Sequence, residues 1–329
     1  MGARVMVAWQ WLPAIVRAPI VAFVVLNIGS TAGVLPVFAN TKFLPTVPWA
    51  LPATFLVMAL FWYYFTGGGY PAATRAVRQD VTRLKSLAWP IWRAAVLPLL
   101  LSIVTVTSLR LMLPSIFPIE APKIALDLSA YPTATVVGLL LSIALTAGIA
   151  EEVAFRGYLQ KPLEDSYGLV PALILTGLAF WFAHADKVAL SHLPFHLVAS
   201  ILLGLSAYLT RSLLPAIIGH VLGDAILLPA YAFHKPSFIW SSLAARPLWE
   251  GGGAATFGDK LQVVFRATAP SALVGTGPTQ RFATLVWVFL LSVALTSIAF
   301  ARLARVASRV RSAMAAAPTS TAERGRPDA

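Results

Sequence analysis

Eight apolar runs divide the chain: Val16–Phe38, Pro48–Phe65, Ala88–Leu113, Thr133–Phe155, Leu169–Ala185, Leu193–Leu209, Leu214–Phe233 and Phe282–Leu303. Each is near the ~20 residues that carry a helix across a hydrocarbon core. The expected fold is therefore all-α, a polytopic membrane helix bundle of about eight transmembrane helices. Polar positions gather at the joins. Residues 66–87 carry Arg75, Arg78, Arg83 and Lys85 against Asp80, and the segment after Leu303 holds Arg305, Arg309, Arg311, Arg324 and Arg326. Loop 114–132 has only Lys123 against Glu120 and Asp127. Spans three to eight, an even number, separate the two basic segments, so these share a side. The positive-inside rule makes that side cytoplasmic, with both termini there, for a multi-pass protein of the cell membrane. Trp89 and Trp92 beside Arg93 suit an aromatic belt on the same side.

The same pattern divides the chain into regions. Residues 1–132 hold N-terminal spans of unassigned role, and 133–233 form a core whose spans carry polar residues. Residues 234–281 make a long outer-side loop, with Phe238, Trp240 and Trp249 ahead of Gly251-Gly252-Gly253. A final span, 282–303, leads into a basic tail, 304–329, whose composition predicts disorder. Near the start, Arg4 precedes an apolar stretch and Val37-Phe38-Ala39 is similar to a signal-cleavage site. Arg17 and Pro19 interrupt that stretch, so it reads as a retained first span.

Composition narrows the function. Hydrophobic residues make up 58% and charged residues 12%, about half the charged share of soluble domains, ~25%. The net charge of +12 lies between spans and in the tail, which points to membrane lipids rather than nucleic acid as the partner. There is no cysteine, which excludes disulfides, thiolate metal sites and a cysteine nucleophile.

Carboxylates at membrane depth cost roughly 2.5–3.5 kcal/mol each on insertion scales, so Ala147-Gly-Ile-Ala-Glu-Glu-Val-Ala-Phe-Arg156 stands out. Adjacent helical residues point about 100° apart, so Glu151 and Glu152 are not expected to face one site together. Glu152 and Arg156 are four apart, in the favourable order for an ion pair, and read as structural. Glu151 shares its face with the small residues Ala147 and Gly148, which let another segment approach closely; it is assigned to chemistry. His184 closes the aromatic turn Phe180-Trp181-Phe182-Ala183, and His220 and Asp224 share a face of the seventh span between Gly219 and Gly223. Alone, Glu151 reads equally as a buried structural carboxylate, His184 as an interfacial residue, and His220–Asp224 as a packing pair. Together, on three spans, they call for a common partner. His192 and His196 bracket Pro194 at a spacing that could hold a metal, although a capping role fits the helix start better. Depths do not agree at first sight. At 1.5 Å per residue, Glu151 lies ~12 Å in from an end near Leu159, His184 ~20 Å from Pro171 and His220 ~8 Å from Pro215, so the helix ends must be staggered.

The motifs Glu151-Glu152-x-x-x-Arg156, Phe180-x-x-x-His184 and His220-x-x-x-Asp224 resemble the CAAX protease and bacteriocin-processing family of intramembrane glutamic-type endopeptidases. The approach Arg211-Ser-Leu-Leu-Pro-Ala-Ile-Ile-Gly-His220 is also similar to that family, and the resemblance covers about residues 133–233. It implies hydrolysis of a peptide bond in a membrane-associated protein or peptide by a glutamate-activated water. Glu151 would be the general base, His184 would help hold the water, and His220 with Asp224 would serve the oxyanion. The family's last motif takes Asn or Asp; an ionised acid has no donor, so Asp224 is expected to orient His220. No cofactor is expected. The competing reading is a zinc-dependent protease with Glu151, His184 and His220 as ligands, which are suitable types without the His-Glu-x-x-His spacing. Outside the proteases stand a proton-coupled transporter, disfavoured by the lack of an inverted repeat, and a non-catalytic scaffold.

Overall fold

The computed structural model describes residues 11–83, 87–119, 128–184, 190–233, 242, 245–250, 256–274 and 277–316. Every regular element among them is helical. In chain order these are α1 (Ala14–Lys42), α2 (Ala50–Phe65), the short α3 (Arg75–Val81), α4 (Trp89–Met112) and α5 (Thr133–Glu152). A π-helical segment (Val153–Gln160) joins α5 to α6 (Lys161–Tyr167); then come α7 (Leu169–Phe182), α8 (Leu193–Thr210) and α9 (Leu214–Phe233). The amphipathic α10 (Phe257–Ala267) and the long α11 (Gly277–Ala316) complete the order.

Five helical stretches are long and apolar enough to cross a membrane, and three shorter apolar helices, α2, α7 and the first part of α9, accompany them. The eight apolar runs of the sequence thus become eight apolar helices of a polytopic, multi-pass bundle. Two lengths differ from expectation. The fourth span does not stop near Phe155 but continues as a 35-residue helix to Tyr167. The last span is a 40-residue helix rather than the stretch 282–303. The outer loop contains a helix: α10 starts at a capping box between Thr256 and Asp259. The glycine triplet, Phe238 and Trp240 lie outside the described residues, as do the tail beyond Ala316 and the segment around Arg4.

The N-terminal helices pack directly on the polar core. Gly29 and Gly33 on α1 face Ala150 and Thr146 of α5 so closely that an added Cβ would sit 2.6 and 2.4 Å from those side chains. This is small-residue packing, the usual means of bringing helices together where the solvent is itself apolar. Val25, Met58, Phe61, Ala150, Val153, Ala216 and Ile217 form one cluster across α1, α2, α5 and α9. Buried Asn40 ties α1 to α2: its Nδ2 donates to the Val47 carbonyl at 2.9 Å, and its Oδ1 accepts from Ala50 N at 2.9 Å.

The basic segment after α2 is built into the fold. Arg78 donates to the carbonyls of Tyr64 and Gly68, and Arg83 pairs with Glu164 of α6 at 2.5 Å. Tyr158 Oη donates to the Phe65 carbonyl at 2.9 Å. These contacts tie the end of α2 and the segment around α3 to the π segment and α6, so two of the arginines read as orientation charges also have structural partners.

Candidate active site

The continued helix resolves the question of depth. Glu151 lies 16 residues from Tyr167 and His184 lies 15 from Leu169, about 24 and 22 Å on the two arms of one helical hairpin. The start of α9 is staggered against that hairpin. A Cβ added at Gly157 would meet Leu213 Cδ1 at 3.7 Å, so α9 begins at the level of Gly157. From that level Glu151 and His220 are each about six residues, ~9 Å, along their own helices. The three polar spans therefore meet at one height.

Close helix approach makes the meeting possible. A Cβ at Gly148 would lie 2.4 Å from Val221 Cγ2 and 3.1 Å from Val221 N. Only a residue without a side chain lets α5 and α9 come this near, and the pair Glu151–His220 sits one turn further along.

His220 is held at one ring nitrogen and faces two carboxylates with the other. Its Nδ1 lies 2.8 Å from Glu152 Oε1, and because a carboxylate accepts, Nδ1 carries the proton. Its Nε2 lies 3.9 Å from Glu151 Oε2 and 3.8 Å from Asp224 Oδ2, beyond direct hydrogen bonding. This corrects two expectations. The adjacent glutamates do face one site, each meeting a different nitrogen of the same imidazole. The carboxylate that orients His220 is Glu152, not Asp224. Glu152 also keeps its ion pair, accepting from Arg156 Nη1 at 2.9 Å, with both side chains fully buried. Arg156 Nη2 donates to the Ser200 carbonyl at 3.3 Å, and the guanidinium lies 4.9 Å from the Phe180 ring centre.

Phe180 is the apolar centre of the group. Its ring lies 5.1 Å from Phe155, 5.0 Å from His184, 5.9 Å from His196 and 6.1 Å from His220. His184 Nδ1 lies 2.8 Å from the Phe180 carbonyl, and since that oxygen only accepts, the neutral ring keeps its lone pair on Nε2. His196 repeats the arrangement, its Nδ1 2.9 Å from the His192 carbonyl. The His184 and His196 rings are 4.6 Å apart. His192 stands at the N-cap of α8 without a side-chain capping bond.

Glu151, His184, His196, His220 and Asp224 line one cavity of about 370 Å³, walled by α4, α5, α8 and α9. Within it, Glu151 Oε2 is buried without a hydrogen-bond partner. A buried acceptor left open is costly unless something else occupies it, and water is the smallest candidate. Among the described residues no group of three or more His, Asp or Glu side chains is arranged to hold a metal ion. Glu151, His184 and His220 do not form such a group among the described residues. Two cavity residues escaped the sequence reading as part of this group. His196 offered only its spacing from His192, and Arg110 on α4 was one of several arginines near span ends.

A helix bundle of membrane-spanning length with carboxylates and imidazoles converging on an internal cavity has the layout of an intramembrane hydrolytic site. Residues 132–226 match the family described as type II CAAX prenyl endopeptidase, Rce1-like, so this segment of the chain is similar to that family of membrane peptidases. The match takes in all three motifs. No curated protein and no solved structure matches the chain.

Proposed function

We propose that the chain is an intramembrane glutamic-type endopeptidase that cleaves the C-terminal part of a membrane-associated, prenylated peptide or protein. The observation that carries this reading is the open carboxylate oxygen of Glu151, buried at the cavity wall beside His220 Nε2. Glu151 takes a proton from water while the water oxygen attacks the scissile carbonyl carbon. His184, with its Nε2 lone pair, accepts the water's second hydrogen and fixes its direction. His220, protonated on both nitrogens, donates Nε2–H to the oxyanion while Nδ1–H stays on Glu152. Collapse of the tetrahedral intermediate breaks the C–N bond, and Glu151 returns its proton to the departing amine. The products are a new carboxylate and a shortened amine-terminated peptide, with no metal required.

Glu152 is a positioning residue in this scheme. It fixes the His220 ring, and Arg156 balances its charge. The basic segment and tail support an orientation with both termini cytoplasmic; reporter fusions after Gly69 and Arg311 should both read cytoplasmic, and an outside signal at either would reverse the orientation.

The test uses purified protein in lipid nanodiscs and a prenylated peptide ending in the CAAX pattern, with products read by mass spectrometry. Wild type should release a C-terminal tripeptide, before and after exhaustive chelation, and Glu151→Gln should lose at least about 100-fold in rate. Full activity of Glu151→Gln, or activity lost to a chelator and restored by zinc, would overturn the mechanism.

A further inference from the structure

Arg110 lies outside the family match, yet it lines the same cavity. The residue is 6% exposed, and its Nη1 is buried without a hydrogen-bond partner. No ion pair to it is present among the described residues; the Phe195 ring lies 5.8 Å from Cζ. A buried, always-charged group held open towards a cavity is expensive unless an anion completes it.

Position says which anion. Leu99, Ile103, Val106 and Arg110 follow the spacing of one face of α4, and all four line the cavity. Leu99 is level with Gly219, where an added Cβ would meet Leu99 Cδ1 at 2.6 Å, and His220 is the next residue. Arg110 is eleven residues further, ~16 Å along the axis. Its side chain tilts back towards the helix N-terminus, which shortens that span. Three extended residues reach about 10 Å. The face between His220 and Arg110 is apolar, matching aliphatic side chains in between.

We infer that Arg110 binds the C-terminal carboxylate of the peptide being cleaved, and so sets the scissile bond about three residues from the chain end. This rests on the peptidase reading above. A guanidinium takes a carboxylate through two parallel N–H···O bonds, so a free C-terminus is recognised and an amidated or extended one is not. The cation thereby measures the substrate from its end, while Glu151 cuts.

The test compares a prenylated CAAX peptide as free acid and as C-terminal amide, on wild type, Arg110→Gln and Arg110→Lys. Binding is measured on proteins that also carry Glu151→Gln, so the assay does not depend on turnover. The acid should bind wild-type-cavity protein at least tenfold more tightly than the amide. Arg110→Gln should remove that preference and leave amide affinity unchanged, and Arg110→Lys should restore part of it. In turnover, Arg110→Gln should raise KM for the acid at least tenfold with little change in kcat. Equal binding of acid and amide by the Arg110 protein, or a preference that survives Arg110→Gln, would overturn the inference. Acid-selective binding without any cleavage by wild type would keep Arg110 as a carboxylate site and sink the peptidase reading instead.

Discussion

Two buried arginines, Arg156 behind the Glu152–His220 pair and Arg110 on the cavity wall, differ in what holds them. Arg156, on the α5 side, has a carboxylate at 2.9 Å, a backbone carbonyl at 3.3 Å and an aromatic face. Arg110, on α4, has an aromatic ring and an open Nη1. A charge already paired with a carboxylate at rest has little capacity left for a substrate, whereas an open one has little to do until an anion arrives. The α5–α9 wall is thus built as fixed machinery, and the α4 wall as a surface awaiting its complement. The family match covers only the first.

Substitutions should separate the walls. Arg156→Leu leaves Glu152 buried without its cation and should cost about 3–5 kcal/mol, read as a large drop in melting temperature in detergent. A melting temperature close to wild type would mean that Glu152 is balanced by His220 alone. Gly148→Ala drives a methyl into Val221 and should cost about 1–3 kcal/mol. It should also lower peptide cleavage, because α9 carries His220 away from Glu151; unchanged turnover would show that the α5–α9 distance is not critical. Arg110→Gln should be the mildest, shifting stability by no more than about 1 kcal/mol, since it removes no ion pair present at rest. A fall as large as that of Arg156→Leu would make Arg110 a structural cation.

Much of this was legible in the sequence, for a physical reason: apolar length and charge placement are imposed by the bilayer itself. All eight apolar helices lie where the runs predict, and the three motifs name most of the polar residues that converge. What stayed hidden depends on contacts between helices. Angular separation on one helix argued that Glu151 and Glu152 could not share a site, but one imidazole offers two nitrogens on different edges. The Glu152–His220 bond therefore had no signature in either helix alone. The helix end near Leu159 was misplaced because Gln160, Lys161 and Glu164 look like an exit from the membrane. They continue the helix because Gln160 binds the Gly204 carbonyl at 3.0 Å and Glu164 binds Arg83. Arg110 was unreadable for the opposite reason, as its meaning lies in a partner absent among the described residues.

The central claim is that two neighbouring glutamates flank one histidine, Glu151 for chemistry and Glu152 for position. Turnover and melting temperature measured on the same preparations of Glu151→Gln and Glu152→Gln test it most directly. The account predicts that Glu151→Gln abolishes cleavage of the prenylated peptide while melting within a few degrees of wild type. Glu152→Gln should melt well below wild type, because Arg156 loses its counter-charge, and should cleave weakly through a misaligned His220. A Glu152→Gln protein as stable as wild type, beside a Glu151→Gln protein that still cleaves at the full rate, would contradict it.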